Sequence, residues 1–261
     1  MNTGKYVQVV LISTLAFILF GLPAVNDYLF GNQPLAATAS TAWESEGPAN
    51  GQVVVNDPYE RFNRAMFSLN DKMYFYFLKP LGTLYAAYFP PGFRGAVRNG
   101  FNNIMFPSRF VNCALQGKFD KAGSETARFA INSIIGVGGL FDVADHEFSI
   151  HAYDTDFGLT MAHYGAGSGP FLMVPVIGPT NPRDLFGYAV DTFMEPIYYI
   201  PGPFWNSPSP YWVTPTIKFG KIVNNTSLRI GEYEDFKKSA LDPYISMRDA
   251  YVQHREKEIK K

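Results

Sequence analysis

The stretch Gly165-Ala166-Gly167-Ser168-Gly169-Pro170 places a hydroxyl among glycines, with His163 just before it. A serine near a histidine invites nucleophilic hydrolysis of an ester, but the spacing does not support it. A nucleophile elbow needs glycine two residues either side of the serine, and those positions hold Ala166 and Pro170. A dinucleotide-binding fingerprint needs a strand before it and a helix after it, and Pro170 forbids that helix start. The second cluster, Gly136, Gly138 and Gly139, follows a helical stretch instead of a strand and fails the same test. Among His146, His151, His163 and His254 no pair has the i, i+4 spacing of a helical metal site. His146 and His151, with Asp145, Glu147, Asp154 and Asp156 around them, form either a cation-collecting loop or a solvated acidic one. Asp154 and Asp156 offer the paired carboxylates of glycoside chemistry, with no second feature to support it. The single Cys113 excludes an internal disulfide and a cysteine zinc site, and it lies in the apolar run Phe110 to Leu115. The expectation is no catalytic constellation, no metal and no cofactor.

Composition narrows the remaining classes. Charged residues are 17% of the 261, below the roughly 25% of an average soluble chain, while aromatics reach 16%. A formal net charge of −1 argues against a nucleic-acid binder. High aromatic content argues against long disorder, and no repeat at a fixed period suggests a solenoid. A folded chain poor in charge and rich in rings suits a membrane interface.

The elements that must position these residues are helices punctuated by proline. Asp57-Pro58-Tyr59-Glu60 has a cap, a proline for the first turn and a glutamate at capping-box spacing. Behind it Phe62, Met66, Leu69, Met73 and Phe77 recur at helical intervals, and Lys79-Pro80 predicts the stop. Further helices are predicted over Leu81 to Phe89, Phe93 to Phe106, and Ser108 to Gln116 with Ser108 as cap. The next starts at Asp120, carries Ala122, Phe129, Ile131, Ile134 and Ile135 as its apolar members, and stops at Gly136. Asn181-Pro182 predicts a helix to about Tyr199, Thr214-Pro215 a long one towards Ala240, and Asp242-Pro243-Tyr244 the last. Arg255, Lys257, Lys260 and Lys261 make a basic tail, read as a solvated helix end or a contact for anionic head groups. Two stretches resist helix: Asp142 to Asp156, and the glycine- and proline-bracketed run from Gly165 to Pro179. The fold class is all-α.

The N-terminus reads as an export signal. Lys5 precedes an apolar run from Val7 to Leu22, which covers about 24 Å against the ~30 Å of a hydrocarbon core. Residues 1–39 are then a cleaved signal peptide, with Ala37-Thr38-Ala39 as the cleavage site, or an uncleaved anchor. Residues 40–56 read as a linker and 57–261 as one helical domain.

Several motifs, in order, resemble the MlaA (VacJ) family of the Gram-negative outer membrane. They begin with Asp57-Pro58-Tyr59-Glu60-Arg61-Phe62-Asn63-Arg64 and continue through Leu115-Gln116-Gly117, Arg128 to Ser133, and Gly136-Val137-Gly138-Gly139-Leu140-Phe141-Asp142. Then come Asp156-Phe157-Gly158, His163-Tyr164-Gly165, Gly167-Ser168-Gly169-Pro170, Pro175, Gly178, Arg183-Asp184 and Asp242-Pro243-Tyr244 with Arg248. The resemblance implies a ring-like helical protein seated in the inner leaflet of the outer membrane. Such a protein removes phospholipids from the outer leaflet through an amphipathic channel, without bond chemistry. The implied partners are glycerophospholipids, a porin trimer and a soluble periplasmic carrier. It also implies a gating hairpin, here Phe157 to Pro175, with Phe157, Gly158, Tyr164, Gly165, Gly167, Gly169, Pro170 and Pro175 as its residues. One departure stands out: no cysteine follows the apolar run, so the acylated N-terminus of a lipoprotein is not available. The rival readings are a phospholipid hydrolase or transacylase using Ser168 or His163, and a non-transporting protein that binds porins.

Overall fold

A computed structural model describes residues 55–199 and 213–261; the expected signal or anchor at 1–39 and all but the end of the 40–56 linker lie outside them. Helix α1 (Glu60–Met73) runs through a π-helical turn (Tyr74–Leu78) into α2 (Lys79–Tyr88). The stop expected at Lys79-Pro80 does not occur. The Lys79 N–H reaches back to the Tyr74 carbonyl, and the widened turn makes room for a proline ring that would otherwise press on the carbonyl four residues earlier. Asp57 does not cap α1 either, because Tyr59 holds the cap position with no side-chain bond. Glu60 pairs instead with Arg64 at 2.8 Å, one turn on.

Helices α3 (Pro91–Ile104), α4 (Phe106–Leu115) and α5 (Phe119–Ile134) follow. Ser108 lies inside α4 instead of capping it, and its hydroxyl donates to Asp191 at 2.9 Å. The region expected to be irregular holds a short helix, α6 (Val143–His146), capped by Asp142. Next are α7 (Phe157–His163) and an antiparallel hairpin of β1 (Leu172–Val174) and β2 (Gly178–Thr180), with Met173 opposite Pro179. Asn181 caps α8 (Pro182–Met194) as expected, accepting from the Asp184 N–H at 2.9 Å. Pro196 then turns the chain into a 3-10 segment to Tyr199. The single helix expected from Thr214 to Ala240 is two, α9 (Val213–Leu228) and α10 (Glu232–Ser239). Gly231, at φ +104°, breaks them apart in a conformation that a side chain would strain. Asp242 caps α11 (Pro243–Lys260) by accepting from the N–H groups of Tyr244 and Ile245.

The packing closes a circuit: α1 on the hairpin, α2 on α9, α9 on α3, α3 on α4, α4 on α5 and α7, α7 on α8 and α11, and α11 back on β2. One sector has an ordinary apolar core of Tyr74, Phe171, Met173, Tyr233, Phe236, Tyr244, Met247 and Tyr251. The rest is inverted. Among the described residues 24 polar or charged side chains are buried against 15 hydrophobic ones, so polar groups fill most of the interior. Helix α5 makes the inversion plain: its buried residues are Ala122, Glu125, Arg128 and Asn132, while Ile134, and Ile135 just past its end, are exposed. The stripe read from α1 is split: Phe62, Leu69 and Phe77 are exposed, Met66 and Met73 are half-buried, and Asn63 is buried. No helix of the described residues is long and apolar enough to cross a membrane.

Candidate functional site

Within this circuit lies a cavity of about 320 Å³, walled by residues of α3, α4, α5, α7, α8, α9, α11 and β2. Its surface mixes arginines and carboxylates with apolar side chains such as Met105, Phe129, Leu159, Ile177 and Met247. The charges are mostly held in pairs. Arg109 Nε donates to Glu125 at 2.6 Å, and both Arg128 Nη2 contacts to Asp142 lie within 3.0 Å. Arg255, read above as part of a solvated basic tail, is buried and joins Asp156 to Asp184, at 2.5 and 2.7 Å. The reason for the difference is position: α11 packs on α7, and that carries Arg255 inward away from solvent.

The same pairs set the protonation states. Burial alone would raise the pKa of Asp142, but hydrogen bonds from Asn132 and Arg128 hold it below the ordinary carboxylate range. Asp184 likewise stays low against its burial, through Arg255, Arg183 and the Tyr251 hydroxyl. Asp191 goes the other way, pushed up to about 6 by burial and by the nearby charge of Asp156. It still accepts from Ser108, from Asn112 at 2.7 Å and from the Phe157 N–H at 2.8 Å, so it ties α4 to the start of α7. Burial lowers the pKa of His254, which also lines the cavity.

Helices α7 and α8 meet through glycine. A Cβ on Gly187 would come within 2.3 Å of the Gly158 backbone, and one on Gly158 would strike Asp184 and Arg255. Small residues at this crossing give the ionic cluster its room. Phe157 lies half-buried beside Phe186, with ring centroids 6.5 Å apart.

The stretch from Phe157 to Pro175, expected as one hairpin, divides into three parts. Its first part is α7, and its last enters the true β-hairpin, with Pro175 in the turn. Between them Tyr164, Gly165, Gly167 and Gly169 are exposed, Pro170 is half-buried, and Gly165 and Gly169 have positive φ. The Tyr164 hydroxyl donates to the Leu115 carbonyl at 2.5 Å. The hairpin itself is fixed to α1 by two asparagines seven residues apart. Asn63 donates to the Phe171 carbonyl at 3.1 Å and accepts from the Met173 N–H at 2.8 Å. Asn70 does the same for Val174 and Val176, at 3.0 and 2.8 Å.

The remaining motif residues fall into three groups. Asp57, next to Pro58, accepts from Asn63 Nδ2 at 2.8 Å and from the Tyr244 hydroxyl, so it locks the chain entry to α11, where Pro243 opens the helix. Arg64 bonds Asp242 at 2.9 Å and lies over the Tyr244 ring, while Phe62 points outward. Gly136, Gly138 and Gly139 end α5 beside Asp142, and Arg183 bonds Asp184 at 2.9 Å. Ser168 and His163 are both exposed; the serine hydroxyl contacts only the Gly169 carbonyl at 3.4 Å, and the imidazole stands edge-on to Tyr164. Among the described residues no cluster could hold a metal ion.

Sequence reasoning missed Arg109, Glu125, Asp191, Asn225 and the inward role of Arg255. A signal was present: Glu125, Arg128 and Asn132 on α5, and Lys218, Lys221 and Asn225 on α9, each form a polar stripe at helical spacing.

Comparison with known proteins gives the same family from three directions. The family model described as MlaA lipoprotein matches residues 55–258. An uncharacterized protein of Rickettsia bellii is 35% identical over 213 residues, covering 80% of this chain and 79% of its own. The intermembrane phospholipid transport system lipoprotein MlaA of Haemophilus influenzae is 29% identical, covering 84% of this chain and 86% of its own. The Escherichia coli protein of the same name is 28% identical over 87% of this chain and 84% of its own. A solved structure, from work on the structural basis for maintenance of bacterial outer membrane lipid asymmetry, superposes with a TM-score of 0.66 at 29% identity. It covers 78% of this chain and 98% of its own.

Proposed function

The chain belongs to the MlaA family, and on that premise we propose that it transports phospholipids between membranes to maintain outer-membrane lipid asymmetry. It takes phospholipids from the outer leaflet and passes them inward through its central cavity. The observation that carries this reading is the inverted polarity: charged side chains line a central cavity, and many aromatic and aliphatic ones face outward. A phospholipid needs a polar track for its head group and apolar surface for its tails, and the cavity wall offers both. Movement along it makes and breaks no bond.

In this reading residues 57–261 are the transport domain, seated on the periplasmic side of the outer membrane beside a porin trimer. Residues 1–39 direct export or anchor the chain, residues 40–56 link it, and a soluble periplasmic carrier receives the lipid. The exposed glycine stretch from Tyr164 to Pro170 is the gate, since the β-hairpin is held to α1 by Asn63 and Asn70. Cysteines placed at Tyr164 and Leu115 and joined by a bifunctional reagent should stop lipid removal; unchanged transport would remove the gate from the proposal.

Deletion of the protein is expected to leave phospholipid exposed at the cell surface, reversed by the intact chain. A normal outer leaflet after deletion would leave only a porin-binding role. Pure protein mixed with phospholipid vesicles should release neither fatty acid nor lysolipid, whereas a hydrolase acting through Ser168 or His163 would release both.

A further inference from the structure

We propose that the cavity holds a subsite for a zwitterionic head group with a primary ammonium, built from Arg98 on α3 and Asn225 on α9. This rests on the phospholipid-transport reading above and names the head group it selects. Both residues line the cavity. Each keeps a buried polar atom without a hydrogen-bond partner: the Arg98 Nε–H, a donor, and the Asn225 Oδ1, an acceptor. Asn225 is only 6% exposed, so its amide is aimed into the protein interior and not towards bulk solvent. Buried polar groups in folded proteins are almost always paired, and an unpaired one in a cavity wall is a position for a ligand atom.

The crossing of α3 and α9 is fixed one turn away. Arg94 Nη1 donates to the Ser227 hydroxyl at 3.2 Å, and Asn224 Nδ2 donates to the Arg94 carbonyl at 3.0 Å. Arg98 lies one turn from Arg94 on α3 and Asn225 next to Asn224 on α9, and neither is spent on the junction.

An orphan donor and an orphan acceptor together ask for a ligand that both accepts and donates. A phosphodiester accepts from the Arg98 guanidinium. A primary ammonium donates to the Asn225 carbonyl, and a quaternary ammonium has no N–H with which to do so. The cavity wall carries seven carboxylates against five arginine or lysine side chains, an excess that favours a zwitterion over a net anion. Phosphatidylethanolamine meets all three conditions. Phosphatidylcholine lacks the donor, and phosphatidylglycerol lacks the positive charge.

The test is a competition. The full-length protein in detergent is exchanged against mixed micelles with equal amounts of phosphatidylethanolamine, phosphatidylcholine and phosphatidylglycerol, and bound lipid is identified by mass spectrometry. The wild-type protein is expected to retain phosphatidylethanolamine several-fold over each of the others. Asn225→Leu should abolish the preference over phosphatidylcholine while total lipid falls little. Arg98→Gln should lower all three together. Equal retention of the three by the wild-type protein would overturn the subsite while leaving transport intact. Retention of no phospholipid at all would overturn the transport reading with it. The wild-type comparison needs no variant to fold, and matching thermal unfolding of the two variants would exclude a general defect.

Discussion

The aromatic sector and the ionic sector of this molecule solve the same packing problem in opposite ways. Where α1, the hairpin, α10 and α11 meet, rings fill the space: Tyr74 and Tyr233 stand edge-to-face at 4.7 Å, and Phe171 meets Tyr251 at 5.9 Å. Their hydroxyls reach carboxylates at the margin, Tyr74 to Glu234 and Tyr233 to Asp71, each at 3.0 Å. Around the cavity, by contrast, paired charges fill the interior and the rings face out. Burial of apolar surface stabilises the first sector, whereas the second keeps a polar path open and is held by its ion pairs. A sector that must admit a charged head group cannot be filled with rings, and one that only supports it can.

The largest effects come from breaking each sector at its centre. Arg255→Leu leaves Asp156 and Asp184 without their shared cation, and loss of one partner of a buried pair costs about 3–5 kcal/mol. Phe236→Ala, in the aromatic sector, is expected to cost a similar amount, roughly 3–5 kcal/mol. The two losses should differ in their response to acid. Protonating Asp156 and Asp184 relieves the first, so the Arg255 deficit shrinks as pH falls, while the Phe236 deficit stays constant. Thermal unfolding in detergent across that range measures both; parallel pH profiles would erase the distinction between the sectors.

Asn63 stands where the aromatic sector holds the hairpin. Asn63→Ala orphans the Phe171 carbonyl and the Met173 N–H, at about 1–3 kcal/mol for each buried group left unpaired. Hydrogen exchange at Met173 should quicken much more than at the α11 amides. Uniform acceleration would mean that the asparagine supports the whole fold and not the hairpin alone.

Asp191 gives the ionic sector an opposite pH response within itself. Its pKa is raised from 3.8 to about 6, so the folded state binds more protons than the unfolded chain across that interval. The contribution of Asp191 to stability therefore falls as pH rises from about 4 to 6 and is level above it, by at most about 3 kcal/mol. Asp142 and Asp184 have lowered values, so their contribution is lost only as pH falls below the ordinary carboxylate range. Asp191→Asn should flatten the first slope and leave the second; an unchanged slope between pH 4 and 6 would assign it to another group.

How much of this was legible depended on range. The caps at Asn181 and Asp242 could be read because cap, proline and first turn are adjacent in the chain. The ionic cluster could not, because Arg255 lies 99 residues from Asp156 and 71 from Asp184. Nor does periodicity say which face of a helix is inside. The spacing of Phe129 and Ile134 on α5 fits a buried face as well as an outer one. Only the burial of Glu125, Arg128 and Asn132 decides it, and the partners of Glu125 and Arg128 come from elsewhere in the fold. Local chemistry also misled where a tertiary contact took the residue, as with Asp57 and Ser108, both drawn from cap positions to distant partners.

The smallest change in folding stability is expected where the inversion is most visible. Ile134 is 81% exposed and Ile135 58%. In a water-filled setting two such isoleucines are an aggregation hazard; against lipid tails they are already in their preferred solvent. Replacing both with serine should alter unfolding in detergent by no more than about 0.5 kcal/mol each, since neither leaves a cavity or an orphaned polar group. Association with phospholipid vesicles should weaken sharply, because about 0.8 kcal/mol of favourable transfer is lost for each methylene removed. Phe236→Ala should do the reverse, unfolding the protein more easily while the remaining folded fraction binds vesicles as before. Co-sedimentation and thermal unfolding of the two variants separate the cases. If the serine pair bound vesicles like the wild type, the outer face of α5 would not be a lipid-facing surface.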